Sequence, residues 1–360
     1  MSDYQVPDKL MVGEDAITET DVQYHNPLTE TVFDLYGFCR PRELGRYQRL
    51  PDEIGENVNE GVRELYRNTA GGRIRFSTDS DYVILRVGLA HAMRADNMPL
   101  TGTRCFDLFV DDPADGRSRF HGVFRVYTAK KIEEYVSILK FGSRERRYLT
   151  LNFPLYSDVT SLEIGLQENA SLGGGLHYRN TLPVVFAGSS ITQGGCASRP
   201  GNSYQNMIAR RLNLDYINLG FSGSFKAEDL IVDYMAELPM SVFVSDYDHN
   251  APDAEYLKST HFRMYQRIRE KNPDLPYIMI SKPDCRRKPE LATLRREVIL
   301  ESFHKAWNEG DRNVYFIDGE SFFAGEWEDC CTVDGTHPND LGFRFMAEGI
   351  ANTLAKIKFQ

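Results

Sequence analysis

Apolar and polar residues alternate in short runs through the first half of the chain. The runs Arg73–Thr78, Tyr82–Val87, Phe106–Val110, Gly122–Tyr127, Tyr148–Phe153 and Leu162–Leu166 each place side chains on two faces with a period of two. Turn residues separate them, among them Asp79, Ser80 and Asp81 before the second run and Asp111, Asp112 and Pro113 after the third. Short alternating strands punctuated in this way predict a β-sandwich or jelly roll.

The texture changes at Ser171-Leu172-Gly173-Gly174-Gly175, which reads as a linker. Beyond it, short apolar runs alternate with helical stretches. Strands are predicted at Pro183–Ala187, Tyr216–Asn218, Ser241–Ser245, Tyr277–Ile280 and Val314–Ile317, and helices at Tyr204–Leu212, Ala254–Lys271, Leu291–Trp307 and Leu341–Ile357. That βα order implies a parallel sheet covered by helices on both faces. The expected division is a β-sandwich domain over 1–172 and a flavodoxin-like α/β domain over 177–360. A chain of 360 residues is long enough for two cores.

The net charge of −10 and the absence of a basic stripe argue against nucleic acid as a partner and favour a neutral substrate. No apolar run approaches the roughly 20 residues of a membrane span, so no membrane partner is expected. Met1–Asp15 lacks the basic-then-apolar layout of a secretory leader. The expected location is therefore the cytoplasm, although a leader trimmed beforehand would leave no trace here. Cys39, Cys105, Cys196, Cys285, Cys330 and Cys331 contain no C-x-x-C pair, so they read as reduced thiols. Oligomeric state is not legible.

In open parallel sheets, sites form beyond the carboxyl ends of the strands. Four predicted strand ends carry suggestive residues: Gly188-Ser189-Ser190-Ile191-Thr192-Gln193-Gly194, Asn218-Leu219-Gly220-Phe221-Ser222-Gly223, Asp246-Tyr247-Asp248-His249-Asn250 and Asp334-Gly335-Thr336-His337-Pro338. Each alone is an ordinary turn or cap. Together, in this order, they resemble the four blocks of the SGNH/GDSL hydrolases. The resemblance implies Ser190 as nucleophile, His337 as base and Asp334 as its orienting acid, with an oxyanion hole from Ser190, Gly223 and Asn250. Two departures stand out: Ser189 occupies the usual aspartate position, and the third block has Asp248 where that family has glycine. The first half resembles the β domain of the subgroup named for a Gly-x-Asp-Leu-Tyr motif, through Cys105-Phe106-Asp107-Leu108-Phe109, Tyr47–Pro51 and Arg199-Pro200.

The chemistry suits these residue types. A serine hydroxyl needs a base to become a nucleophile, histidine titrates near neutrality, and a carboxylate on the far ring nitrogen fixes the tautomer. His249 is the alternative base, without an acid at matching spacing. Asp246 and Asp248 are weak metal-ligand candidates without a histidine pair, so no metal and no cofactor are expected. Arg199 and Tyr247 are candidate substrate contacts, with a plain salt bridge as the other reading of Arg199. The function expected from the resemblance is hydrolysis of a small acyl ester, acetyl by preference, on a carbohydrate. A lipid esterase or thioesterase, or a non-catalytic carbohydrate-binding protein on the same scaffold, are the alternatives. Loops of the sandwich are expected to wall one side of the pocket.

Overall fold

The structure, a computed structural model, describes residues 17–91, 95–125, 133–284 and 288–359. Its first ten strands are β1 (Val22–His25), β2 (Asp34–Tyr36), β3 (Arg73–Thr78), β4 (Tyr82–Ala90), β5 (Phe106–Asp111), β6 (Ser118–Phe124), β7 (Glu134–Lys140), β8 (Arg147–Asn152), β9 (Asp158–Gln167) and β10 (Leu172–Gly174). They form two antiparallel sheets, ordered β1-β9-β4-β7 and β10-β3-β8-β5-β6, with β2 beside β3. Alternation does what the pattern predicts. Val83, Leu85 and Val87 of β4 enter a core shared with Ile74 and Phe76 of β3 and Leu149 and Leu151 of β8. Tyr82 and Ile84, on the opposite face, join a small cluster with Ile138.

All six predicted sandwich strands are present, with ends moved by a few residues. The end of the fourth, Val126 and Tyr127, lies outside the described residues, as does Cys285. β1, β2, β7 and β10 were not predicted. The first two and the last are only three or four residues long, too short for a readable alternation.

The reading of Ser171–Gly175 as a linker is corrected. Leu172, Gly173 and Gly174 pair antiparallel with Thr78, Ser77 and Phe76 and form the edge of the second sheet. Bare backbone is required there, because a Cβ on Gly175 would sit 2.5 Å from the Cβ of Arg75.

The remaining strands, β11 (Val184–Gly188), β12 (Tyr216–Gly220), β13 (Val242–Asp246), β14 (Tyr277–Ile280) and β15 (Val314–Ile317), form a parallel sheet ordered β12-β11-β13-β14-β15. Both faces are covered. Val185 and Ala187 of β11 enter one core, and Val184 and Phe186 enter the other. Two-sided burial is why these strands read as continuous apolar runs. The four predicted helices are present; the one over Asp229–Ala236 was not predicted, because eight residues give barely two turns of periodicity.

The two halves share their cores. Leu50, Val62, Leu65 and Tyr66 pack in one core of the parallel-sheet half, and Ala70, Leu155 and Tyr156 in the other. Arg49, 2% exposed, donates hydrogen bonds to the carbonyls of Asn68 (2.8 Å), Leu65 (2.7 Å) and Gly220 (2.5 Å). Its guanidinium lies 4.3 Å from the centre of the Phe221 ring. Burial pulls its pKa down to about 9. The carbonyls carry no formal charge, so they offset only part of the cost of desolvating the cation.

Candidate active site

The site is built where β11, β12 and β13 end side by side. Gly188 is level with Gly220 on one neighbour and with Asp246 on the other. Both glycines are dictated by proximity: a Cβ on Gly188 would lie 2.2 Å from the Asp246 carbonyl oxygen, and one on Gly220 would lie 2.2 Å from the Gln193 amide nitrogen. Ser190, Gly223 and Asn250 therefore leave three adjacent strand ends within two to four residues of the same level.

Ser189 and Ser190 have different tasks. Ser189, fully buried, caps the short helix Ser190–Gln193, its hydroxyl accepting from the amide of Ile191 at 3.1 Å. This local role needs only a side-chain acceptor, which serine supplies as well as aspartate. Ser190 is 8% exposed, and its Oγ lies 2.9 Å from Nε2 of His337.

His337 is presented by a tight loop before the last helix. Asn339 caps that helix through the amides of Leu341 and Gly342, and the amide of Val333 donates to the His337 carbonyl at 2.9 Å. Gly335 takes the turn at φ 83, where other residues are strained. This brings Asp334 Oδ2 to 2.7 Å from His337 Nδ1. Asp334 Oδ1 accepts from the amides of Thr336 (3.0 Å) and His337 (2.8 Å). Asn97, from the β half, donates to Oδ2 at 3.0 Å. Partial burial alone would raise the Asp334 pKa. The hydrogen bonds from the His337 amide and ring and from Asn97 outweigh it and hold the carboxyl well below the usual carboxylate range. An ionised carboxylate on Nδ1 keeps the proton there and leaves the Nε2 lone pair for Ser190.

Gly223 turns at φ 65, and a Cβ there would touch nothing within 4 Å. The Asn250 side chain is fixed by donating one amide hydrogen to the Phe221 carbonyl at 2.8 Å, which leaves the second hydrogen available. The turn carrying Asn250 explains Asp248. Arg295, buried, donates Nε to Asp248 Oδ1 at 2.6 Å and also bonds the Ala251 carbonyl at 2.8 Å, while Asp248 Oδ2 accepts from the Lys282 amide at 3.0 Å. A buried ion pair thus ties the turn to the helix Pro289–Asn308.

His249 turns to Asp284, its Nε2 2.7 Å from the carboxylate, and it is His337 that meets Ser190. Asp246 accepts from Thr192 at 2.9 Å and from Tyr204 at 3.1 Å. Burial pushes its pKa up to about 6, against an ordinary value of 3.8. The folded chain thus holds a proton that the unfolded chain has lost, so this group makes stability fall as pH rises from about 4 to 6. Melting temperatures should accordingly drop less over that window in Asp246→Asn than in the wild type. Parallel curves would show that Asp246 does not titrate there.

Tyr247 requires a correction. It is fully buried, its hydroxyl 2.7 Å from Thr260 Oγ1 and its ring in the core, which leaves no surface for a substrate. Arg199 takes the salt-bridge reading: it meets Asp107 at 3.1 Å and lies 3.8 Å from the centre of the Phe120 ring.

Two contributors escaped the sequence reading. Asn97 sits in a polar loop with no local signal. Gln193 lies within the first block; its amide bonds Asn68 and Leu155, and its Oε1 accepts from the Ser222 amide at 3.0 Å, bracing the Gly223 turn from the helix that carries Ser190. Only its place in the block could have singled it out.

Residues 181–355 match the GDSL-like lipase/acylhydrolase family, and residues 22–172 match the family described as the N-terminus of SGNH hydrolase-type esterases. No curated protein matches the chain in sequence. Among solved structures, a chain assigned as a GDSL-like lipase from Bacteroides ovatus is similar over 94% of this chain and 99% of its own, at 28% identity and a TM-score of 0.82. The salicylyl-acyltransferase SsfX3 of a tetracycline biosynthetic pathway aligns over 94% of this chain and 98% of its own, at 19% identity and a TM-score of 0.75. An acetyl xylan esterase from the rumen bacterium Butyrivibrio proteoclasticus aligns over 93% and 98%, at 13% identity and a TM-score of 0.55. The last two likenesses concern the fold. With both family matches in sequence order and the four blocks gathered at the ends of one parallel sheet, the chain belongs to the GDSL/SGNH acylhydrolases, in the group that carries a GxDLY-type N-terminal domain, and is a carboxylic ester hydrolase.

Proposed function

We propose that the protein removes a small acyl group, acetyl by preference, from a hydroxyl of a carbohydrate, using Ser190, His337 and Asp334. The observation that carries this reading is the unbroken line Ser190 Oγ to His337 Nε2 at 2.9 Å and His337 Nδ1 to Asp334 Oδ2 at 2.7 Å. His337 takes the Ser190 proton as the hydroxyl attacks the ester carbonyl, and Asp334 stabilises the imidazolium. The oxyanion is met by the amides of Ser190 and Gly223 and the free amide hydrogen of Asn250, each such donor contributing about 3 kcal/mol in the transition state. His337 then protonates the leaving sugar oxygen, and water repeats the cycle to release the acid.

The preference for a sugar is supported by the two-part architecture shared with the acetyl xylan esterase. No helix among the described residues is long and apolar enough to cross a membrane. The test is a panel of acetylated glycans, with release of acetate measured for each. Release from none of them, alongside turnover of a chromogenic acetyl ester, would retire the carbohydrate while keeping the esterase. Because the base is a histidine and the charge is met by amides, activity is expected to survive EDTA. Loss on chelation with recovery on a divalent cation would overturn the mechanism.

A further inference from the structure

The β half reaches the triad directly. Asn97 Nδ2 donates to Asp334 Oδ2 at 3.0 Å, the same oxygen that receives the His337 ring at 2.7 Å. The remaining Asp334 oxygen is taken by the two amides of its own loop. Asn97, unlike those two amides, reaches this carboxylate from outside the loop.

The segment behind Asn97 is anchored to the catalytic half. Thr101 Oγ1 donates to the Ser198 carbonyl at 2.5 Å. Gly102 lies so close to the Ala197 carbonyl oxygen that a Cβ would stand 2.2 Å from it. The carbonyls of Gly102 and Thr103 accept from the amides of Leu155 (3.1 Å) and Tyr156 (3.3 Å). The Tyr156 hydroxyl in turn donates to the Ser190 carbonyl at 3.2 Å. The same 196–202 stretch is tied to the last helix, since the Ser198 amide (2.9 Å) and Asn202 (2.7 Å) both bond Asp340, three residues beyond His337. The segment that follows Asn97 and the helix that follows His337 are therefore both tied to this one stretch.

We propose that Asn97 is a positioning residue of the triad, supplied by the N-terminal domain. It fixes which oxygen of Asp334 faces the His337 ring and at what angle. The proposal rests on the triad reading above. Asn97 acts on Asp334, and through it on His337, so its effect is expected on the chemical step and not on substrate binding. A donor to an ionised carboxylate is a charge-assisted bond, directional as well as attractive. The Cys196 thiol adds no charge near this carboxylate, because burial, then the Asp334 charge, push its pKa up to about 12.

The test is kcat and KM of the full chain at pH 8 on a chromogenic acetyl ester, for the wild type, Asn97→Ala, Asn97→Asp and Ser190→Ala. Asn97→Ala is expected to lower kcat about tenfold and Asn97→Asp about a hundredfold, with KM within about twofold and melting temperatures unchanged. The order is the diagnostic. Aspartate fills the space of asparagine, so a mere packing role would make Asn97→Asp the milder change, whereas a lost donor replaced by a like charge makes it the harsher. Wild-type kcat in both variants, the reverse order, or a loss carried by KM overturns the proposal. Should Ser190→Ala remain active, it is the triad reading that fails instead.

Discussion

Replacing Ser190 by alanine is expected to lower kcat on a chromogenic acetyl ester at least ~10³-fold, with the fold intact. The hydroxyl is small, lies at the first position of its helix and contributes its hydrogen bond to His337, not to the core. Its removal therefore takes away the attacking atom without opening a cavity. What activity survives should come from the oxyanion donors and the binding site. Ser189→Ala separates the two adjacent serines. It deletes the cap on Ile191, costs about 1 kcal/mol of stability, and should leave most of the activity, because no bond runs from Ser189 to His337. A dead Ser189→Ala beside an active Ser190→Ala would show the nucleophile to be one residue earlier.

The second large effect concerns the division of the chain. Residues 177–360 expressed alone should yield no soluble, cooperatively folded protein. The cut removes Leu50, Val62, Leu65 and Tyr66 from one core and Ala70, Leu155 and Tyr156 from the other, all buried. At 1.5–3 kcal/mol for each large apolar side chain, the loss is on the order of 10 kcal/mol, about the whole stability of a typical domain. It also strips Arg49 from the carbonyls of Asn218 and Gly220, directly below the Gly223 turn. A sharp thermal transition and a dispersed amide spectrum from the fragment would prove the shared core dispensable. Supplying residues 17–176 in trans and recovering activity would locate the fault in the missing core and not in expression.

Much of this molecule was legible because its signals are local. Period-two alternation in Arg73–Thr78 and an apolar run such as Tyr277–Ile280 both state a strand, and the structure has both where they were expected, although it buries the polar face of the first as well. The four blocks were legible for a related reason. The first three are strand ends followed by a turn, and the fourth, expected at a strand end, is instead a loop well beyond β15 that leads into the last helix; in each the shaping glycines and caps are close in sequence: Gly188 with Ser189, Gly335 between Asp334 and His337.

Other features were not local. Tyr247 lies within the third block, yet its side chain turns into the core, because the chain leaves β13 at Asp246 and enters a short helical turn, and sequence proximity to Asn250 says nothing about direction. The Leu172–Gly174 run has the composition of a flexible connection, and only the nearness of β3 makes it a strand. Asp248 departs from its family's glycine, and the compensating Arg295 stands on a helix 47 residues away.

What the sequence determined by itself was the class of each half, the order of its longer strands and helices, and the four blocks that hold the proposed serine, histidine and aspartate. Hydrophobic period, turn chemistry and four short blocks carry that information within a few residues of one another. What only the tertiary structure decided was how the halves meet: that Leu50 and Tyr66 complete the second half's core, that Arg199 answers Asp107, and that Asn97 reaches Asp334 across the chain. Those contacts join residues tens to hundreds of positions apart. Their pairing is fixed by how two folded surfaces fit, a property of the assembled shape that no local period or motif encodes.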